Sequence, residues 1–236
     1  MTFKGPHSAE TRKRIAKKMK LYAKEHPNYN HIEELLQKHR IIPVLYPSES
    51  LVYILGVLVG DGYVTVSKDN NHYYVCLQSI SKNFVSSFKR ALEDIGLHPC
   101  KIYRDSRGIY HAVAVSKNFV KWYKNLSLAE FKRITDSYQI AFVRGVYESE
   151  GSLFFNRQHR KFDITIANSN FETLKMVSNS LSSRGIRNTI YKRGRTVNDL
   201  QMYNLRIYQA EVQRFLYIVK PCIKFLSNSA IVKDYA

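Results

Sequence analysis

Residues 51–62 read LVYILGVLVGDG, and residues 141–151 read AFVRGVYESEG. Each is a short apolar run with small residues four apart, Gly56 and Gly60 in the first, Gly145 and Ser149 in the second. Each closes with a carboxylate and a glycine, Asp61-Gly62 and Glu150-Gly151. Small residues at i and i+4 share one face of a helix, and without bulk there a second helix can approach backbone to backbone. Glycine just past the last helical residue is the usual left-handed cap. The expectation is therefore two helices capped by Gly62 and Gly151, with Asp61 and Glu150 at their C-termini. That end of a helix carries unpaired carbonyls and partial negative charge. Two acids brought together there call for something positive between them, and a divalent cation with oxygen ligands meets the need.

Outward from these runs, the chain repeats itself. An offset of 89 positions carries Gly62 onto Gly151 and Gly96 onto Gly185. The same offset sets Val64, Val66, Val75 and Leu77 on Leu153, Phe155, Ile164 and Ile166, and Arg104 on Arg193. A register shared over so long a stretch marks an internal duplication and predicts pseudo-twofold symmetry. Alternation of apolar and polar residues along 63–67 and 73–78 marks half-buried strands. Lys82 to Ile95 has helical spacing, with Gly96 as its stop, and Ser116 caps a further helix. Hairpins are expected around 105–108, over 152–167 and over 189–208, with helices near 170–184 and 210–219. The fold class is α+β: two αββαββα halves at 49–126 and 127–236, behind a basic helical extension at 1–48.

The formal net charge is +18 and the pI about 9.8, spread along the whole chain. This points to a polyanion, nucleic acid before acidic membrane. Three scattered cysteines, Cys76, Cys100 and Cys222, give neither metal-ligand spacing nor a disulfide framework, so an intracellular, reducing compartment is expected. No segment is apolar for long enough to cross a bilayer, and the N-terminus lacks a signal-peptide core.

The two runs resemble the motifs of the LAGLIDADG homing endonucleases, on Ile54 to Gly62 and Val143 to Gly151. The resemblance covers about Tyr46 to the C-terminus. It implies that the two motif helices pack at the centre and that two antiparallel four-stranded sheets form a saddle over DNA. Gly5 to Lys20 resembles the NUMOD3-type DNA-binding modules attached to such enzymes; Arg12, Lys13 and Lys17 lie on its basic helix.

The implied reaction is metal-dependent hydrolysis of one phosphodiester on each strand of a long double-stranded target, by a monomer. Asp61 and Glu150 would hold Mg2+, helped by the carbonyls of Gly60 and Ser149, with Mn2+ or Ca2+ able to substitute for binding. Gln78 and Lys224 are candidates for positioning water beside the metal. The repeat partner of Gln78 is Ala167, with Asn168 adjacent but out of phase.

The DNA-facing side is expected to carry Tyr63, Thr65, Ser67, Tyr74, Gln78, Ser152, Asn156, Lys161, Asp163 and Thr165, since a two-stranded ribbon fits the major groove. Hairpin-tip residues Lys68, Arg104, Arg107, Arg157, Arg160, Lys192, Arg193 and Arg195 would hold phosphates. His72, His111 and His159 read as surface or DNA contacts. Rival readings on the same scaffold are an intron maturase, whose partner would be RNA, and a transcription regulator that binds without metal. An intein is disfavoured, because no splicing residues stand at the ends.

Overall fold

The computed structural model describes residues 43–67, 72–157, 160–195 and 200–225. The chain divides after Ile41, and the described residues all follow that division. The expectations placed on residues 1–42, on Lys68 and on His159 lie outside them, as does the side chain of Arg195.

The first half runs α1 (Glu49–Leu58), β1 (Tyr63–Val66), β2 (Tyr73–Ser79), α2 (Lys82–Asp94), β3 (Tyr103–Arg104), β4 (Tyr110–Val115) and α3 (Lys117–Asn125). A linking helix α4 (Leu128–Asp136) follows. The second half is α5 (Gln139–Glu150), β5 (Gly151–Asn156), β6 (Lys161–Asn168), α6 (Phe171–Ser182), β7 (Asn188–Arg195), β8 (Gln201–Ile207) and α7 (Val212–Val219). The fold is α+β, with two antiparallel four-stranded sheets ordered β1-β2-β4-β3 and β5-β6-β8-β7. The identical order of the two sheets is the structural form of the repeat seen at an offset of 89. No helix among the described residues is long and apolar enough to cross a membrane.

Side-chain hydroxyls and amides start the helices. Ser48, Ser81, Ser116 and Asn170 each accept from a backbone N–H in the first turn, satisfying a donor that has no partner within the helix. Helix α4 was not expected, although Ser127 and Glu130 form a reciprocal capping box at its start. Helices α1 and α5 are wrapped by core on nearly every side: Leu51 to Leu58 and Ala141 to Val143 are all buried. Val75, Leu77, Ala112 and Ala114 of one sheet, and Ile164, Ile166, Leu205 and Ile207 of the other, turn toward helices.

Two glycines cap as expected and two do not. Gly96 and Gly185 are left-handed. Gly151 is extended, with φ −78° and ψ 158°, and Gly62 is not among the left-handed residues. Close approach, rather than backbone handedness, accounts for both. A Cβ on Gly62 would sit 3.1 Å from Val57 Cγ1, and one on Gly151 would run into the Tyr147 ring. Helix α1 also ends three residues earlier than expected, at Leu58. Val59-Gly60-Asp61 then forms a turn in which the N–H groups of Gly60 and Gly62 both donate to the Val57 carbonyl.

Candidate active site

The two halves of the described unit meet at the contact between α1 and α5. A Cβ on Gly56 would lie 2.5 Å from the Phe142 carbonyl oxygen, and one on Gly145 would lie 2.5 Å from that of Tyr53. No side chain fits there, so the two helices touch through backbone, as the small-residue spacing predicts. One turn further along, Gly60 abuts the Ser149 side chain, and a Cβ there would come within 3.0 Å of Glu150 Cγ. This convergence brings the two C-terminal acids into one site.

Asp61 is exposed over much of its surface and Glu150 is half-buried. Partial burial raises the carboxyl pKa of both, and the charge of Asp61 raises Glu150 further. The Lys224 ammonium opposes the rise in each. Burial in turn pulls the Lys224 pKa down against the attraction of Asp61, Glu150 and Glu148. Lys224 Nζ donates to the carbonyls of Glu148 (2.6 Å) and Ser149 (3.0 Å). One of the two carbonyls named as candidate metal ligands, that of Ser149, thus already accepts a hydrogen bond from lysine.

The residues fit a hard divalent cation. Two carboxylates whose ionised forms are disfavoured by burial, and in Glu150 also by the charge of Asp61, lie beside the carbonyls of Gly60 and Ser149, which is the donor chemistry such ions take. Among the described residues no three His, Cys, Asp or Glu side chains gather as a ready-made cage. A small cation here would therefore complete its shell with water and substrate oxygens.

Gln78 lies on the sheet face away from the helices and donates to the Tyr63 hydroxyl at 2.7 Å. Asn168 is indeed out of phase: it is buried on the helix side and donates to the Val59 carbonyl at 3.3 Å. Ladder register puts Tyr63, Thr65, Tyr74 and Gln78 on one face of the first sheet. It puts Ser152, Asn156, Lys161, Asp163 and Thr165 on one face of the second. Ser67 follows β1 and pairs with His72. Arg157, Arg160 and Lys161 are exposed at one tip, Lys192 and Arg193 at another, where the ladder shifts register between Lys192 and Gly194. Arg104 and Arg107 flank a turn organised by Asp105, which pairs with Arg107.

Two expectations need correcting. Asp163 is on the expected face but only 2% exposed. It accepts from Asn156 Nδ2 (3.0 Å) and pairs with Arg206 (3.3 Å). Burial would raise its carboxyl, but these bonds outweigh it and hold the group below the usual range. It is a buried support of the sheet, and the accessible group above it is the Arg206 guanidinium. His111 is likewise buried, stacked 4.6 Å from the Tyr103 ring and bonded to Asp105. Two groups on this face escaped sequence reading: Arg206, and Phe154, which is 44% exposed opposite Asp163. Strand alternation marks their side of the sheet and says nothing of their exposure.

Comparison with known proteins agrees with this fold. A model of the LAGLIDADG-like domain matches residues 48–126 and 137–220. Protein MJ0314 of Methanocaldococcus jannaschii is 34% identical over 169 residues, 67% of this chain and 63% of that protein. The chain therefore spans less than two thirds of the length of that relative. The homing endonuclease I-DmoI of Desulfurococcus mucosus is 28% identical over 149 residues, 59% of this chain and 72% of that enzyme. The structure of I-DmoI in complex with DNA and Mn superposes with a TM-score of 0.54 at 23% identity, covering 72% of this chain and 96% of that one. Other structures of I-DmoI contain DNA with Ca, or target DNA in the presence of Mg. The chain belongs to the LAGLIDADG-like family, with a matching segment in each of its two halves.

Proposed function

We propose that this protein is a site-specific double-strand DNA endonuclease that uses a divalent cation, Mg2+ by preference, to hydrolyse one phosphodiester on each strand. The observation that carries the reading is the convergence of Asp61 and Glu150. Two acids from duplicated helices meet at a backbone-to-backbone contact, with pKa values raised by enclosure. The structures of I-DmoI with DNA and Mn, Mg or Ca support the choice of polymer and ion.

In this reading Asp61 and Glu150, one from each half of the chain, would hold the ion with the help of the Gly60 carbonyl. When bound, the ion supplies charge for the leaving oxygen and lowers the pKa of attacking water. Gln78 orients that water from the first sheet. Lys224 offsets negative charge at the second helix end. The polar sheet faces read the major groove through Tyr63, Thr65, Tyr74, Ser152, Phe154 and Arg206. Exposed arginines and lysines of the hairpin tips grip phosphates. The chain acts as a monomer, since both halves of the site lie in one polypeptide.

The test is incubation of the protein with its selected target with and without Mg2+. Double-strand cleavage that requires the metal is expected. Asp61→Asn should lower the cutting rate by at least about 10²-fold, on the scale of losing one electrostatic contact to the transition state, while leaving DNA affinity near wild type. Tight binding with no cutting at any metal concentration would instead favour a maturase or a transcription regulator.

A further inference from the structure

The two helix ends are related by the repeat, yet their carbonyls are satisfied in different ways. At the first end the Tyr123 hydroxyl donates to Leu58 (3.4 Å) and Asn168 to Val59 (3.3 Å). Among the described residues no side chain donates to the carbonyl of Gly60. At the second end the corresponding carbonyls are those of Tyr147, Glu148 and Ser149. All three face one group, Lys224 Nζ, at 3.5, 2.6 and 3.0 Å.

Lys224 reaches that position on a short segment stitched to α5. Lys220 closes α7 in a left-handed conformation, and Lys224 is left-handed too, a conformation that residues with a Cβ rarely adopt unaided. Between them, the Cys222 N–H donates to Glu148 Oε1 at 2.6 Å. The Tyr53 hydroxyl donates to Glu148 Oε2 at 2.5 Å, and the Tyr147 hydroxyl donates to the Lys224 carbonyl at 2.7 Å. Glu148 is 1% exposed, so its carboxylate is spent on these two donors rather than on the site. The repeat partners of Glu148 and Tyr53 are Val59 and Phe142, so the first half has no such latch.

We propose that residues 220–224 form a strap, latched by Glu148, that holds the Lys224 ammonium as a resident cation on the second helix end and leaves the two ends unequal toward a divalent ion. The idea rests on reading Asp61 and Glu150 as metal ligands. Before any ion arrives, lysine balances the second end, and an incoming ion is confined to the acids and the Gly60 carbonyl. Glu148 and Tyr53 are positioning residues that act through Lys224.

Mn2+ titration of the full chain without DNA, followed by electron paramagnetic resonance, tests this. Removing a positive charge beside the acids in Lys224→Met should tighten Mn2+ binding about tenfold, and Mn2+ should raise the thermal midpoint of the variant more than that of wild type. Tyr53→Phe, which deletes one hydroxyl, should shift Mn2+ affinity the same way by a smaller factor. Glu148→Gln should do so as well if it folds. Unchanged or weaker Mn2+ binding in Lys224→Met overturns the resident cation. Tightening in Lys224→Met with a wild-type value in Tyr53→Phe overturns the latch. If wild type binds Mn2+ no better than Asp61→Asn, the metal reading of the acids fails instead. Loss of DNA cleavage alone would count against the endonuclease and leave the strap standing.

Discussion

Asp61 and Glu150 sit where their ionised forms are disfavoured, and that has a thermodynamic consequence. A carboxyl whose folded pKa is raised stabilises the fold below its unfolded pKa, and loses that contribution as pH rises through its folded pKa. Burial raises both acids, so in the absence of metal each ionised acid costs stability at neutral pH. Asp61→Asn should therefore raise the unfolding midpoint in chelator at about pH 7, and the gain should vanish below about pH 4, where unfolded aspartate is itself protonated. Thermal melts across that range check it; a loss of stability at neutral pH would contradict it. Both acids were legible in the sequence because each ends an apolar run between small residues. Lys224 was legible only as a candidate, since nothing local to Pro221-Cys222-Ile223-Lys224 says that it returns to α5. Asp163 misled because alternation assigns a face and not a depth: the side chain that covers it, Arg206, comes from β8.

At the scale of elements, the glycines separate into two kinds with different predicted costs. Gly145 is needed for space: a Cβ there meets the backbone of Tyr53 and Val57, which cannot swing aside. Gly145→Ala should cost about 1–3 kcal/mol or more, the scale of overpacking in a closed core. Gly96 is needed for handedness: its φ is +82°, and a Cβ there would meet nothing within 4 Å. Gly96→Ala should cost about 1–2 kcal/mol from the left-handed backbone alone. Urea denaturation of the two variants measures both, and DNA affinity should fall only in Gly145→Ala, where the halves are forced apart. The duplicated register was readable because strands and helices kept their spacing across both halves. The cap geometry of Gly62 and Gly151 was not, because a glycine required for close packing and one required for a left-handed turn are the same letter. Helix α4 carried a readable Ser127–Glu130 capping signal, but its apolar face is narrow, with only Ile134 and Thr135 buried.

At the scale of the molecule, a formal charge of +18 and exposed basic tips beside two polar sheet faces would make the proposed DNA affinity an electrostatic property first. If six or more phosphates are neutralised, affinity should fall about 10³-fold or more between roughly 50 and 200 mM salt, measurable by fluorescence anisotropy. A shallow salt dependence would mean that the basic tips do not reach the backbone. The sheets and their order followed from pattern and family resemblance, whereas the proposed target does not, because recognition of a duplex would be shared among many side chains and the deformability of the DNA. On the proposed function, Asp61 and Glu150 together cut DNA through a bound cation. Cleavage selection from a random duplex library in Mg2+ examines it most directly. A single long site is expected, cut on both strands by the wild-type chain and by neither Asp61→Asn nor Glu150→Gln. Site-specific cutting that survives in both variants, or enrichment of a bound site that is never cut, would contradict it.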